Sequence, residues 1–150
     1  MPSTFTATRR VFFADTDAAG VVYFNRHLQF CHEAYELWLG ELGINLTALL
    51  KKKTVLLPLV HAEIDYLAPA YCGDHLTIQL SPQSASEHRF LCHYKIVKLS
   101  DTSKSQPAAR AVPTEILVAK AQTQHVSIAF STRQPCPLPT LIRQQLAQSK

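Results

Sequence analysis

Glycine is scarce in this chain, with four in 150 residues. A glycine-rich phosphate cradle needs several close together, so nucleotide-binding loops of that kind are excluded. No serine sits in a G-x-S-x-G elbow, which removes the usual serine-hydrolase signature. The four cysteines, Cys31, Cys72, Cys92 and Cys136, show no C-x-x-C spacing. A zinc site or a redox pair is therefore not expected, and they read as reduced thiols of a cytoplasmic protein. No apolar run approaches the roughly 20 residues of a membrane span. The opening MPSTFTATRR lacks the apolar stretch of a signal peptide. A basic tract is missing too. The formal net charge is +4 and the pI about 9.0, but the cations are scattered. Only Lys51, Lys52 and Lys53 form a run, which reads as a solvated loop, so a nucleic-acid partner is not expected.

What is present is apolar: 47% of residues are hydrophobic, enough for the core of one domain over 1–150. A domain this small buries about 70% of its unfolded surface, so self-association would help it. Thr4 to Ala14 reads as a first strand. Leu28, Cys31, Tyr35 and Trp38, widened by Ala34, then recur at the spacing of one helical face. That helix starts between Tyr23 and Asn25 and ends near Gly40 or Gly43. Alternation returns in PLVHAEIDYLAPA, where Ala62, Ile64 and Tyr66 oppose His61, Glu63 and Asp65. It recurs over His75–Leu80 and Arg89–Val97. Ile116 to Phe130 reads as a long last strand with a bulge or bend. PLPTLIRQQLAQ reads as a short helix with Leu141, Ile142 and Leu146 inward. Ser100 to Pro113 is polar and reads as a long loop. One long helix among antiparallel strands is an α+β layout, and one helix covers only part of the sheet.

FFADTDAAGVVYF, residues 12–24, sets two carboxylates beside a segment suited to burial. Three readings of Asp15 and Asp17 stand open. They shape a turn through backbone N–H groups. They bind a divalent metal, for which no third ligand is near. Or one is a working carboxylate, placed where the next helix offers free N–H groups to a carbonyl oxygen. Gly20 would let the backbone approach a substrate. His32-Glu33 begins like a zinc-protease H-E-x-x-H, but position 36 is Glu36, so no metal is expected. Glu33 and Glu36 lie off the apolar stripe, on a solvated face or, for Glu33, at a pocket border.

ADTDAAGVVYFNRHLQFCHEAYELWL resembles the signature of hotdog-fold thioesterases of the 4-hydroxybenzoyl-CoA thioesterase family. DTDAAGVVYFN, CHEAYE, LPLVHAEIDYLAPAYCGD, HRF and QHV are similar to one branch of it, the 1,4-dihydroxy-2-naphthoyl-CoA hydrolases of phylloquinone synthesis. The resemblance implies a hotdog fold: one long central helix wrapped by a curved antiparallel sheet of about five strands. It implies a homo-oligomer, dimer or dimer of dimers, with active sites at the dimer interface. It puts the catalytic carboxylate on Asp17 and the oxyanion-hole amide on Phe24. Pro58, Val60 and His61 would line the acyl site from the neighbouring subunit. His88, Arg89 and Arg133 would meet the phosphates of an aryl-CoA substrate, and no separate cofactor is implied. Relatives of a short-chain acyl branch carry histidine where this chain has Phe24 and tyrosine where it has Phe13. Their absence favours an aryl acid. The loop from Ser100 to Pro113 is longer than in those relatives. A broader aryl- or acyl-CoA or acyl-carrier-protein thioesterase, and a non-enzymatic acyl-CoA-binding module, are the alternatives.

Overall fold

The computed structural model describes residues 3–100 and 113–148. Most of the loop expected from Ser100 to Pro113 thus lies outside the described residues. Its rims are tied together, Ser100 N–H donating to the Thr114 carbonyl at 2.8 Å.

The elements in order are β1 (Phe5–Arg10), a 3-10 turn (Phe13–Asp15), α1 (Phe24–Glu41), α2 (Leu46–Lys52), β2 (Val55–Leu56), β3 (Leu59–Tyr66), β4 (His75–Ser84), β5 (Arg89–Leu99), β6 (Glu115–Val126), β7 (Ile128–Ala129) and α3 (Thr140–Ala147). Five strands form one antiparallel sheet in the order β1-β4-β5-β6-β3. The pair β2 and β7 forms a small second sheet. This is the expected α+β hotdog arrangement.

Helix α1 packs on one face of the sheet because its apolar residues share a side. Phe30, Cys31, Ala34, Tyr35, Trp38 and Leu39 are all buried. They meet the inward positions Leu76, Ile78 and Leu80 of β4 and Phe90, Cys92, Tyr94 and Ile96 of β5. Both strands follow the alternation of the sequence. The period breaks once, at a bulge. Ile96 pairs with Ala119 but Val97 with Leu117, so Val118 is the extra residue and both Val118 and Ala119 are buried.

Four sequence expectations are corrected. The first strand stops at Arg10, not Ala14, because the Asp15 carboxylate accepts the Phe12 N–H at 2.9 Å and folds the chain into the 3-10 turn. Lys51 and Lys52 are not loop but the last turn of α2, which Asn45 caps by accepting the Ala48 N–H at 3.0 Å. The last long strand ends at Val126. There the fully buried Ser127 donates its N–H to the His88 carbonyl at 2.7 Å, and the chain resumes as β7. In α3, Ile142 and Leu146 are inward but Leu141 is exposed.

Candidate active site

The two acids of the turn do different work. Asp15 is 4% exposed. Its Oδ2 accepts from Arg9 Nη1 at 2.7 Å, and Arg9 Nε also donates to Glu33 on α1 at 3.0 Å. The Arg9 guanidinium lies 4.3 Å from the Phe30 ring centroid. Burial opposes the charge on Asp15, but the hydrogen bonds from Arg9 and Phe12 prevail and hold its pKa below the ordinary carboxylate value. The Asp15 carbonyl then accepts the Tyr23 N–H at 2.8 Å. Asp15 therefore joins β1, the turn and the start of α1. Glu33 serves this network and does not border the cavity described below.

Asp17 is half-buried. Its Oδ1 accepts the N–H of Ala19 at 2.8 Å and of Val21 at 3.4 Å, the turn chemistry expected of an Asp before small residues. None of the described residues donates to Oδ2. Gly20 closes the turn at φ +83°, a left-handed conformation that a Cβ would strain, although the space around it is open. Val22 N–H then bonds the Ala70 carbonyl at 2.8 Å, laying the segment against the stretch that follows β3.

Helix α1 begins directly after. Its N-cap, Tyr23, supplies no side-chain acceptor. The Phe24 N–H, at the first helical position, finds no acceptor among the described residues, as helix geometry dictates for an uncapped first turn. The Phe24 carbonyl does have a partner: Tyr66 Oη donates to it at 2.6 Å.

Asp17, Val21, Val22, Tyr23, Phe24 and His27 form one wall of a cavity of about 410 Å³, and Tyr66 to Ala70 form the other. The second wall is held by the bulge in β6, whose Val118 carbonyl accepts the N–H groups of Leu67 at 2.9 Å and Ala68 at 3.1 Å. Lys98 Nζ fixes its far end through the Pro69 carbonyl at 2.8 Å and Asp74 at 2.9 Å. The result is a largely apolar cleft whose lining includes a carboxylate residue, Asp17, and the residue with the free helix-terminal amide, Phe24. Among the described residues, no group of three or more His, Cys, Asp and Glu side chains could share a metal ion.

The remaining predicted residues stand apart from this cavity. Tyr66 pairs with Ala119, whereas Leu59 pairs with His125, so β3 runs from the far end of β6 towards the cavity. Pro58, Val60 and His61 lie at its far end. Val60 is the extra residue of a second bulge and is exposed; His61 Nε2 stands 3.3 Å from Glu63. Also at that end are His88, whose carbonyl accepts from Ser127, and Arg89, which pairs with Val126. Arg133 follows β7 there, its guanidinium over Phe130 at 5.2 Å. Within one chain the candidates thus fall into two groups at opposite ends of β3.

Sequence reasoning missed His27 and Tyr66 as cavity residues. The signal for His27 was its spacing, one turn after Phe24. For Tyr66 there was none, because its reach to the Phe24 carbonyl spans 42 positions.

A sequence profile described as the thioesterase-like superfamily matches residues 11–146. This chain belongs to the thioesterase-like superfamily. Its relatives include the 1,4-dihydroxy-2-naphthoyl-CoA hydrolase of a Synechocystis strain, 48% identical over 136 residues, which are 91% of this chain and 89% of that one. The crystal structure of a Synechocystis 1,4-dihydroxy-2-naphthoyl-CoA thioesterase superposes with a TM-score of 0.81 at 46% identity, covering 97% of this chain and 96% of that one. A gentisyl-coenzyme A thioesterase superposes with a TM-score of 0.73 at 26% identity, covering 92% and 98%. In this thioesterase-like chain, the segment from Asp17 to Phe24 lies inside the matched residues.

Proposed function

We propose that this chain hydrolyses 1,4-dihydroxy-2-naphthoyl-CoA to 1,4-dihydroxy-2-naphthoate and coenzyme A. The observation that carries the reading is the near full-length similarity to a hydrolase of that name at 48% identity. The chemistry of the cleft supports it. A thioester carbonyl entering the cavity meets the unpaired Phe24 N–H, which takes the negative charge that develops on oxygen. Aligned peptide dipoles of α1 add to that stabilisation. Asp17, with Oδ2 free, either bonds to the carbonyl carbon or draws a proton from the water that does. The C–S bond breaks, the thiolate leaves as coenzyme A, and the oxygen of water ends in the acid. No cofactor is needed beyond the coenzyme A that the substrate brings. The acid released would serve phylloquinone synthesis, in the cytoplasm.

The site is completed by a second copy. β3 is an edge strand, and Leu59, Val60, Tyr66 and Leu67 on or beside it are exposed. Unpaired edges of this kind join to other strands. Antiparallel pairing of two β3 strands sets the Tyr66 end of one against the Leu59 end of the other. That brings Pro58, Val60 and His61 of one copy to the Asp17 cavity of its partner. His88, Arg89 and Arg133 come to the same side, where the phosphates of coenzyme A would extend.

Thiol release from 1,4-dihydroxy-2-naphthoyl-, 4-hydroxybenzoyl- and alkyl-CoA thioesters tests the reading, with wild type and Asp17→Asn side by side. Selective turnover of the naphthoyl thioester is expected. It should fall about a hundredfold or more in the variant, with KM little changed. Turnover confined to alkyl thioesters would reject the substrate, and full activity of Asp17→Asn would reject the mechanism.

A further inference from the structure

Four side chains with polar ends line the cavity: Asp17, Tyr23, His27 and Tyr66. Asp17 has its place in the chemistry above. Tyr66 spends its hydroxyl on the Phe24 carbonyl. Tyr23 is an exposed rim residue. His27 differs from all three, because it is 4% exposed and yet faces the cleft. Its ring is packed edge-on against Tyr66, centroids 5.0 Å apart at 78°, and tilted over Phe30 at 6.3 Å.

Nδ1 is sealed from solvent and makes no well-formed hydrogen bond. Burial lowers the His27 pKa, and the backbone of Phe24 and Tyr23, which favours a proton on the ring, offsets this only in part. The ring is accordingly neutral in the physiological range, with one N–H and one lone pair. With Nδ1 shut against the helix, Nε2 is the nitrogen left within reach of a ligand, and no described residue bonds it. Nε2 is not among the sealed atoms, so a ligand that displaces water from it has to replace the hydrogen bond it takes away. A few such polar atoms in an otherwise apolar cleft orient a ligand.

We propose that His27 determines specificity by hydrogen-bonding a hydroxyl group on the aromatic ring of the acyl substrate. This rests on the thioesterase reading above. A phenolic hydroxyl is a strong donor and suits a neutral imidazole, whereas an alkyl chain would leave the nitrogen unpaired. The spacing agrees. Residue 27 rises about 4.5 Å above residue 24 along the helix, and helical side chains lean back towards the N-terminus. The imidazole thus lies within one ring's width of a carbonyl held at the Phe24 N–H, the separation between a thioester and a hydroxyl on the same aryl group.

The test compares kcat/KM for 1,4-dihydroxy-2-naphthoyl-CoA and unsubstituted 2-naphthoyl-CoA in wild type, His27→Phe and His27→Gln. The ratio between variants cancels the intrinsic reactivities of the two thioesters. The Phe variant should lose about tenfold or more on the hydroxylated substrate and little on the other, and the Gln variant should recover part of the difference. An unchanged ratio, or equal loss on both substrates, overturns the assignment. Product inhibition of the wild type gives a check that needs no variant. 1,4-Dihydroxy-2-naphthoate should bind about tenfold or more tighter than 2-naphthoate, and equal affinities would also overturn it. A wild type that splits neither naphthoyl thioester rejects the naphthoyl-CoA hydrolase reading itself. Turnover of both with no role for His27 rejects the specificity assignment alone.

Discussion

Two aspartates separated by one residue show how little a side chain's identity says about its task. Asp15 is buried under Arg9 and holds the turn; Asp17 is half-buried, with one oxygen tied to the turn and one free. The same contrast holds for histidine. His125 is fully buried in the core, stacked on Tyr35 at 4.3 Å and Phe90 at 5.1 Å, with Nε2 3.0 Å from Thr123 Oγ1. Burial, helped by the charge of His32, drives its pKa from 6.5 down to about 4. The unfolded chain therefore binds more protons than the folded one between those values. Stability from this residue is complete above pH 6.5, drains away as the pH falls, and is gone below about 4. Its size is about 3 kcal/mol. Urea denaturation at pH 8 and pH 5 should show a drop in wild type that is clearly smaller in His125→Phe. Parallel drops in both would contradict it. The thiols of Cys31 and Cys92, pushed up to about 12 by burial, remain protonated and inert near neutrality.

At the scale of elements, the start of α1 is clamped from two sides. Tyr23 N–H is held by Asp15, and the Phe24 carbonyl by Tyr66 from the end of β3. Between these clamps the Phe24 N–H stays free. Tyr66→Phe removes the second clamp while keeping the ring against His27. The expected loss is about 1 kcal/mol in denaturant unfolding, together with a fall in kcat larger than the change in KM, because the amide proposed to meet the oxyanion would lose its fixed direction. A rise in KM with kcat intact would show that Tyr66 acts only as a wall. The β6 bulge works at the same scale. One extra residue, Val118, turns its carbonyl out to collect Leu67 and Ala68, and so aims the second wall of the cleft.

For the whole molecule, the distribution of the candidate residues is the main fact. Asp17 and Phe24 sit at one end of β3, and Pro58, Val60, His61, His88, Arg89 and Arg133 at the other. A single chain keeps the two groups apart, and the proposed pairing of two chains along β3 would bring them together twice. Sedimentation should accordingly give at least twice the 16.8 kDa of one chain. A charge placed on the shared edge by Val60→Lys should weaken association and lower activity together. A fully active monomer would overturn the two-chain site.

The sequence by itself determined the layers. Periodicity in Cys31, Ala34, Tyr35 and Trp38, and alternation in Leu76–Leu80 and Phe90–Ile96, report which face of each element avoids water, a local property repeated along the chain. The motif from Asp15 to Phe24 likewise announced a turn followed by a helix, because turn residues and helix starts act over a few positions. What only the tertiary structure decided depends on partners far apart in sequence. Arg9 and Asp15 end β1 early, Asn45 turns a lysine run into a helix, Ser127 breaks the last strand on His88, and Tyr66 finds the Phe24 carbonyl. The surroundings of Asp15 and His27 belong with these. A buried ion pair and a cleft-facing imidazole look alike in sequence to a turn acid and a surface histidine, and only the packing of distant segments around them sets their solvation.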